Sequence, residues 1–172
     1  CALNGTVATS FISNPVISVP SISVCPFQQG TLTASGASSY TWNNFSQGNS
    51  LTDNPGVTTV YTVTGSSSTC SSSATASIIM KPVPVPQLTS NSPVCNGRSL
   101  QFGASGGTSY LWSGPLNYTS GLALNAINPA SPPNTGAYGV TVTAANSCTA
   151  AGSITLTVNP TPFITTSGST VC

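Results

Sequence analysis

Charge is almost missing from this sequence. Of 172 residues only Asp53, Lys81 and Arg98 are charged, and there is no histidine; a typical soluble domain devotes about a quarter of its residues to charge. Each shortage removes a class of function. Without histidine, and with one carboxylate, the chain cannot assemble a Ser-His-Asp triad, the carboxylate pair of a glycoside hydrolase or a histidine-bearing metal centre. A serine activated by Lys81 stays formally open. Lys81, however, stands in the proline-rich stretch "MKPVPVPQ", a poor setting for the desolvated amine that such a base requires. The expectation is a protein that is not an enzyme and takes no cofactor or metal. A net charge of +1 supplies neither a basic patch for nucleic acid nor a polybasic segment for anionic lipid. No apolar run nears the roughly 18 residues of a membrane span, so no membrane insertion is expected.

What is present is hydroxyl and sulfur. Ser and Thr occupy 54 positions, so the surface is wetted by hydroxyls and amides, and apolar residues make up 38% of the chain. That suits modest cores better than one large one. The six cysteines include no CxxC pair. Without histidine beside them they read as disulfides, not as a zinc site, and so point to an oxidising, extracellular compartment.

The sequence repeats itself. "SVCPFQQGTLTASGASSYTW" aligns without a gap on "PVCNGRSLQFGASGGTSYLW", so that Cys25 to Trp42 and Cys95 to Trp112 are both 17 steps. Downstream, Tyr61 precedes Cys70 by 9 and Tyr138 precedes Cys148 by 10. Cys1 falls in register with Cys70 and Cys148, and Cys172 with Cys25 and Cys95. The organisation expected is the last strand of a preceding repeat at 1–15, whole repeats at 16–82 and 83–160, and the first strand of a following repeat at 161–172. Six cysteines allow fifteen connectivities, but the repeat selects pairing within a unit: Cys25 with Cys70 and Cys95 with Cys148. Cys1 and Cys172 then belong to different, incomplete repeats and are expected to pair with residues outside this stretch. Closing loops of about 46 and 54 residues would stabilise each unit by roughly 4 kcal/mol in the chain-entropy model.

Alternation supplies the local structure. "SLQFGAS" puts Leu100, Phe102 and Ala104 on one face, "YGVTVT" does so with Tyr138, Val140 and Val142, and "SITLTV" with Ile154, Leu156 and Val158. These predict half-buried strands with Ser and Thr facing water. No helical period of useful length occurs, and turn-rich stretches such as "SGGTS" and "SPPNTG" punctuate the strands every eight to twelve residues. The prediction is all-β, two β-sandwiches strung end to end through the prolines of "MKPVPVPQ".

The arrangement "VC…GxSYxW…YxVTVTxxxxC…TVNPxP" resembles the tandem Ig-like or PKD-like repeats of very large surface and secreted proteins of Bacteroidota. Those proteins include gliding-motility-associated adhesins and multidomain enzymes exported by type IX secretion. The resemblance covers essentially the whole chain. It implies immunoglobulin-like sandwiches with Trp42, Trp112, Tyr61 and Tyr138 in their cores, and a bridge from the start of the second strand to the last hairpin turn. It also implies a non-catalytic part of an extracellular adhesin stalk, surface fibre or filament. The partners implied are neighbouring repeats, laterally associated copies and glycans. The alternative is a carbohydrate-binding or spacer region of a large secreted polysaccharide-degrading enzyme. Calcium-binding relatives use clusters of carboxylates, which one Asp cannot supply.

Trp42 and Trp112, each with a Tyr two residues earlier (Tyr40, Tyr110), also admit reading as a sugar-stacking platform, with core packing the favoured reading. Aromatics outside the shared pattern, Phe45 in "NNFSQGN" and Tyr118 in "PLNYTSG", are the candidates for ligand contact, weighed against plain loop anchoring. Asn4, Asn44 and Asn117 head N-x-S/T triplets and are candidate glycosylation sites.

Overall fold

The computed structural model describes residues 13–162. Cys1, Asn4 and Cys172 lie outside them, as do almost all residues of the partial repeats expected at 1–15 and 161–172. The chain divides into two compact units at the Lys81–Pro82 bond.

The first unit contains β1 (Ile22–Val24), β2 (Gly30–Thr33), β3 (Ser39–Trp42), β4 (Ser50–Asp53), β5 (Thr59–Ser67) and β6 (Cys70–Met80). One sheet has the order β1-β6-β5-β3 and the other is β2-β4. Leu32 and Leu51 of the small sheet pack against Trp42, Tyr61, Val63 and Ile78 of the large one. The period-2 pattern of "TVYTVTG" explains the division of faces, with Tyr61, Val63 and Gly65 buried and the intervening threonines turned outward.

The second unit contains β7 (Gln87–Ser90), β8 (Val94–Cys95), β9 (Leu100–Ser105), β10 (Ser109–Gly114), β11 (Tyr118–Ser120), β12 (Leu124–Ile127), β13 (Gly136–Thr143), β14 (Thr149–Leu156) and β15 (Val158–Asn159). Strands β11-β10-β13-β14 form one sheet and β12-β9-β7 the other, while β15 pairs with β8. The core is aromatic. Phe102 meets Trp112 edge-on at 5.1 Å between ring centroids, and packs against Tyr138 at a tilt at 4.9 Å. Such pairs add about 0.5–1.5 kcal/mol beyond the area they bury.

Both units share one plan. All pairings are antiparallel except that a short early strand runs parallel to the last: Ile22 opposite Ile78 and Val24 opposite Met80, then Val94 opposite Val158 and Cys95 opposite Asn159. The leading segment first touches the other sheet, through the Ser18–Ser35 bridge in the first unit and the β7–β9 ladder in the second. The Tyr138 hydroxyl donates to the Asn134 carbonyl at 3.0 Å, the corner bond that marks the sixth strand of an immunoglobulin sandwich. Each unit is an immunoglobulin-like β-sandwich. In each, the chain arrives at the end that carries the last hairpin turn and leaves at the opposite end.

That register overturns the expected pairing of cysteines inside a repeat. Cys25 follows β1 directly, beside Lys81, whose N–H donates to the Val24 carbonyl at 2.8 Å. Cys70 opens β6, which is 11 residues long. At about 3.3 Å per residue the two cysteines lie roughly 35 Å apart, whereas a disulfide needs Cα atoms within about 7 Å. In the second unit Cys95 sits opposite Asn159, past the far end of β14, while Cys148 immediately precedes the start of β14. Cys95 is a free, exposed thiol, and Cys25 and Cys148 are each disulfide-bonded. The pairs Cys25–Cys70 and Cys95–Cys148 are therefore not formed. The physical reason is the parallel strand. A cysteine expected near the last hairpin turn instead closes a strand aligned with the last one, which carries it to the other end.

Candidate functional site

Trp42 and Trp112 are buried, 2% and 0% exposed, so neither offers a face for stacking a sugar. Each indole N–H donates to a loop carbonyl, Trp42 to Gly48 and Trp112 to Leu122, both at 3.0 Å. Tyr40 and Tyr110 use their hydroxyls to close the turn before their own strand, donating at 2.9 Å to the carbonyls of Ala37 and Gly107. The repeated aromatics are thus satisfied within the fold.

Asp53, the single acid, is held by structure as well. Its Oδ2 accepts from the Tyr61 hydroxyl at 2.6 Å and its Oδ1 from the Asn54 N–H at 2.7 Å. The Tyr61 bond, then the Asn54 bond, keep its carboxyl below the ordinary carboxylate range. Burial, followed by the bond to Asp53, pushes the Tyr61 phenol up to about 12. Among the described residues no three metal-ligating side chains gather, and no helix is long and apolar enough to cross a membrane.

A concave surface with mixed chemistry belongs to the second unit. An open groove of about 770 Å³ lies between the edge strands β11 and β12, with Phe102 and Tyr118 in its lining, Leu122 and Leu124 alongside, and Ser90 and Asn125 among its polar groups. No lining residue is charged. Tyr118 donates to Asn125 Oδ1 at 2.9 Å, and Asn125 Nδ2 donates to the Leu122 carbonyl at 3.2 Å. The Tyr118 ring also stacks edge-on with Phe102 and Tyr138. Tyr118 is therefore both an anchor of its loop and part of the groove. An uncharged concavity with an apolar floor and hydroxyl and amide edges suits a neutral ligand with polar rims.

Phe45 lies elsewhere, in the first unit, 89% exposed at the tip of the β3–β4 loop with its N–H bonded to the Trp42 carbonyl. The two contact candidates belong to different units. Asn44 and Asn117 are exposed, Asn44 accepting from the Ser46 N–H and Asn117 lying in a tight turn with φ of 57°. Leu122, Leu124 and Asn125 were not among the sequence-level candidates. The signal lay in the repeat itself. Trp42 to Tyr61 spans 19 steps but Trp112 to Tyr138 spans 26, and the extra length extends into β11 what in the first unit is a single bridge, Thr41 to Gln47.

No family model and no curated protein matches the sequence. Solved structures similar to it include an amphioxus IgVJ-C2 molecule (12% identical, covering 79% of this chain and 99% of that one, TM-score 0.41). The three N-terminal domains of the bacteriophage RB49 highly immunogenic outer capsid protein are 17% identical, covering 84% of this chain and 59% of that one, with a TM-score of 0.48. Murine CEACAM1b is 12% identical, covering 83% and 100%, with a TM-score of 0.39. The immunoglobulin-like assignment of each unit rests on its own strand order and register.

Proposed function

We propose that this chain is a non-catalytic structural segment of an extracellular adhesin stalk or surface fibre, with neighbouring repeats of the same protein as its partners. The observation that carries the reading is the parallel pairing of an early strand with the last one in both units. It sends the chain in at one end of a sandwich and out at the other, which is what a linear array requires and a folded-back pair does not. The proline-rich stretch after Met80 supports it, because prolines favour an extended, semi-rigid connection. The near absence of charge supports lateral association of copies, since few ions need desolvation where surfaces meet. Bonded cysteines accord with an oxidising location outside the cell. Small-angle scattering of the whole chain in solution tests this: the reading predicts an elongated particle, and a profile of one compact globule would contradict it.

The groove of the second unit favours a second reading, a carbohydrate-binding or spacer region of a secreted polysaccharide-degrading enzyme. A glycan array separates the two. Binding that disappears in Leu122→Asp, a variant of an exposed residue, would favour the carbohydrate reading, and silence across the array favours the stalk.

A further inference from the structure

We propose that β12 of the second unit is a docking edge for a second copy of this chain. The two β12 strands pair antiparallel about a twofold axis, so that the sheet β12-β9-β7 of one copy continues into that of the other. The inference rests on the lateral association of copies proposed above and names the surface that would carry it.

Register fixes which main-chain groups are on offer. The Ala104 N–H donates to the Ala123 carbonyl at 2.9 Å, and Leu124 stands opposite Gly103, Ala126 opposite Gln101. Bonding alternates along an antiparallel ladder. Asn125 and Ile127 therefore commit their main-chain groups to β9, while the N–H and C=O of Leu124 and Ala126 point to the side where β12 has no neighbour in its sheet. Other edges are guarded. β1 lies between Pro20 and Pro26, β7 between Pro86 and Pro93, and β4 ends on Asp53 with Pro55 behind it; proline and charge are what keep an edge from recruiting a strand. The stretch "LNAI" carries neither, and the groove between β11 and β12 leaves open space beside it.

A second copy fits because the edge is complementary to itself. Pairing the outward groups places Leu124 opposite Ala126 of the second copy and Ala126 opposite its Leu124, with the two Asn125 residues facing at the centre. Each copy then donates and accepts two main-chain bonds. The large side chain of one copy lies beside the small one of the other, on the face where Leu124 is 76% exposed. No residue lining the groove is charged, so identical edges meet without repulsion. The four residues of β12 are far fewer than the roughly 20–30 a side of a standard interface. A single pair is therefore weak, and repetition along an array would multiply it.

Sedimentation of the whole chain, with exposed thiols alkylated so that no disulfide can join copies, tests the proposal up to about 1 mM, the weak end of specific association. A monomer–dimer equilibrium toward twice the 17.1 kDa chain mass is expected. The dimer should be lost in Leu124→Lys, which sets like charges diagonally across the pair, and in Ala126→Pro, which removes an outward N–H and leaves the bonds to β9 in place. Mixing Leu124→Lys with Ala126→Glu should restore it by setting opposite charges face to face. Amide hydrogen exchange on the parent reads the same edge without any variant: Leu124 and Ala126 should exchange more slowly as concentration rises, and Asn125 and Ile127 should not change. A parent that stays monomeric, a dimer that survives either substitution, or no recovery on mixing would overturn the proposal. So would amides of Leu124 and Ala126 slowed by an added oligosaccharide and not by concentration, which would give the groove to the carbohydrate reading. A parent that stays monomeric leaves an elongated scattering profile, and with it the stalk reading, untouched.

Discussion

Asp53 and Tyr61 show how a chain with one acid uses it. Their hydrogen bond makes the first unit sensitive to pH at both extremes, with opposite signs. The carboxyl is depressed on folding, so its contribution is present above its ordinary value of 3.8 and is lost as pH falls through the lower folded value. The phenol is raised to about 12, so its contribution is full below pH 10 and is lost as pH rises toward 12. Melting followed by circular dichroism should show the unfolding temperature of the first unit falling above pH 10 and below pH 4, with both slopes shallower in Tyr61→Phe. Identical slopes in the variant would mean that the bond adds nothing in solution. Trp112 carries a different kind of weight. It is fully buried against Phe102, and Trp112→Ala should cost about 3–5 kcal/mol by calorimetry of the second transition.

Among the elements, the turns before β3 and β10 repeat one device. Gly36 and Gly106 adopt φ of 101° and 100°, and a Cβ on either would run into a backbone carbonyl of the arriving segment, Val16 in the first unit and Val85 in the second. Only glycine combines that dihedral with that approach. Gly106→Ala should therefore destabilise the second unit by about 1–3 kcal/mol, seen as a lowered midpoint for that unit alone. An unchanged midpoint would show that the arriving segment is not pinned. The long strands were legible because alternation is strong where one face is buried: Leu100, Phe102 and Ala104 point inward as the pattern of "SLQFGAS" predicts. The short parallel strands were not. β1 has three residues and β8 has two, too few to show a period, and a parallel partner is announced by no hairpin turn. The cysteine pairing went wrong at that element, because Cys25 and Cys95 lie just past or within these strands. The groove escaped for another reason: Tyr118, Thr119 and Ser120 in its wall belong to the additional residues of the second repeat, while Gln101 and Phe102 lie in the shared pattern and read there as an ordinary strand.

For the whole molecule, the parallel strands decide how each unit meets load. A pull on the two ends of a unit shears its early strand past its last one, so the pairings Ile22 to Ile78 and Val24 to Met80 in the first unit, and Val94 to Val158 and Cys95 to Asn159 in the second, bear the force together. The most direct measurement is single-molecule pulling on the whole chain by its two ends, under reductant. The account predicts that the two units yield one at a time, each in a single sharp rupture of its parallel ladder. A gradual extension at low force would contradict it.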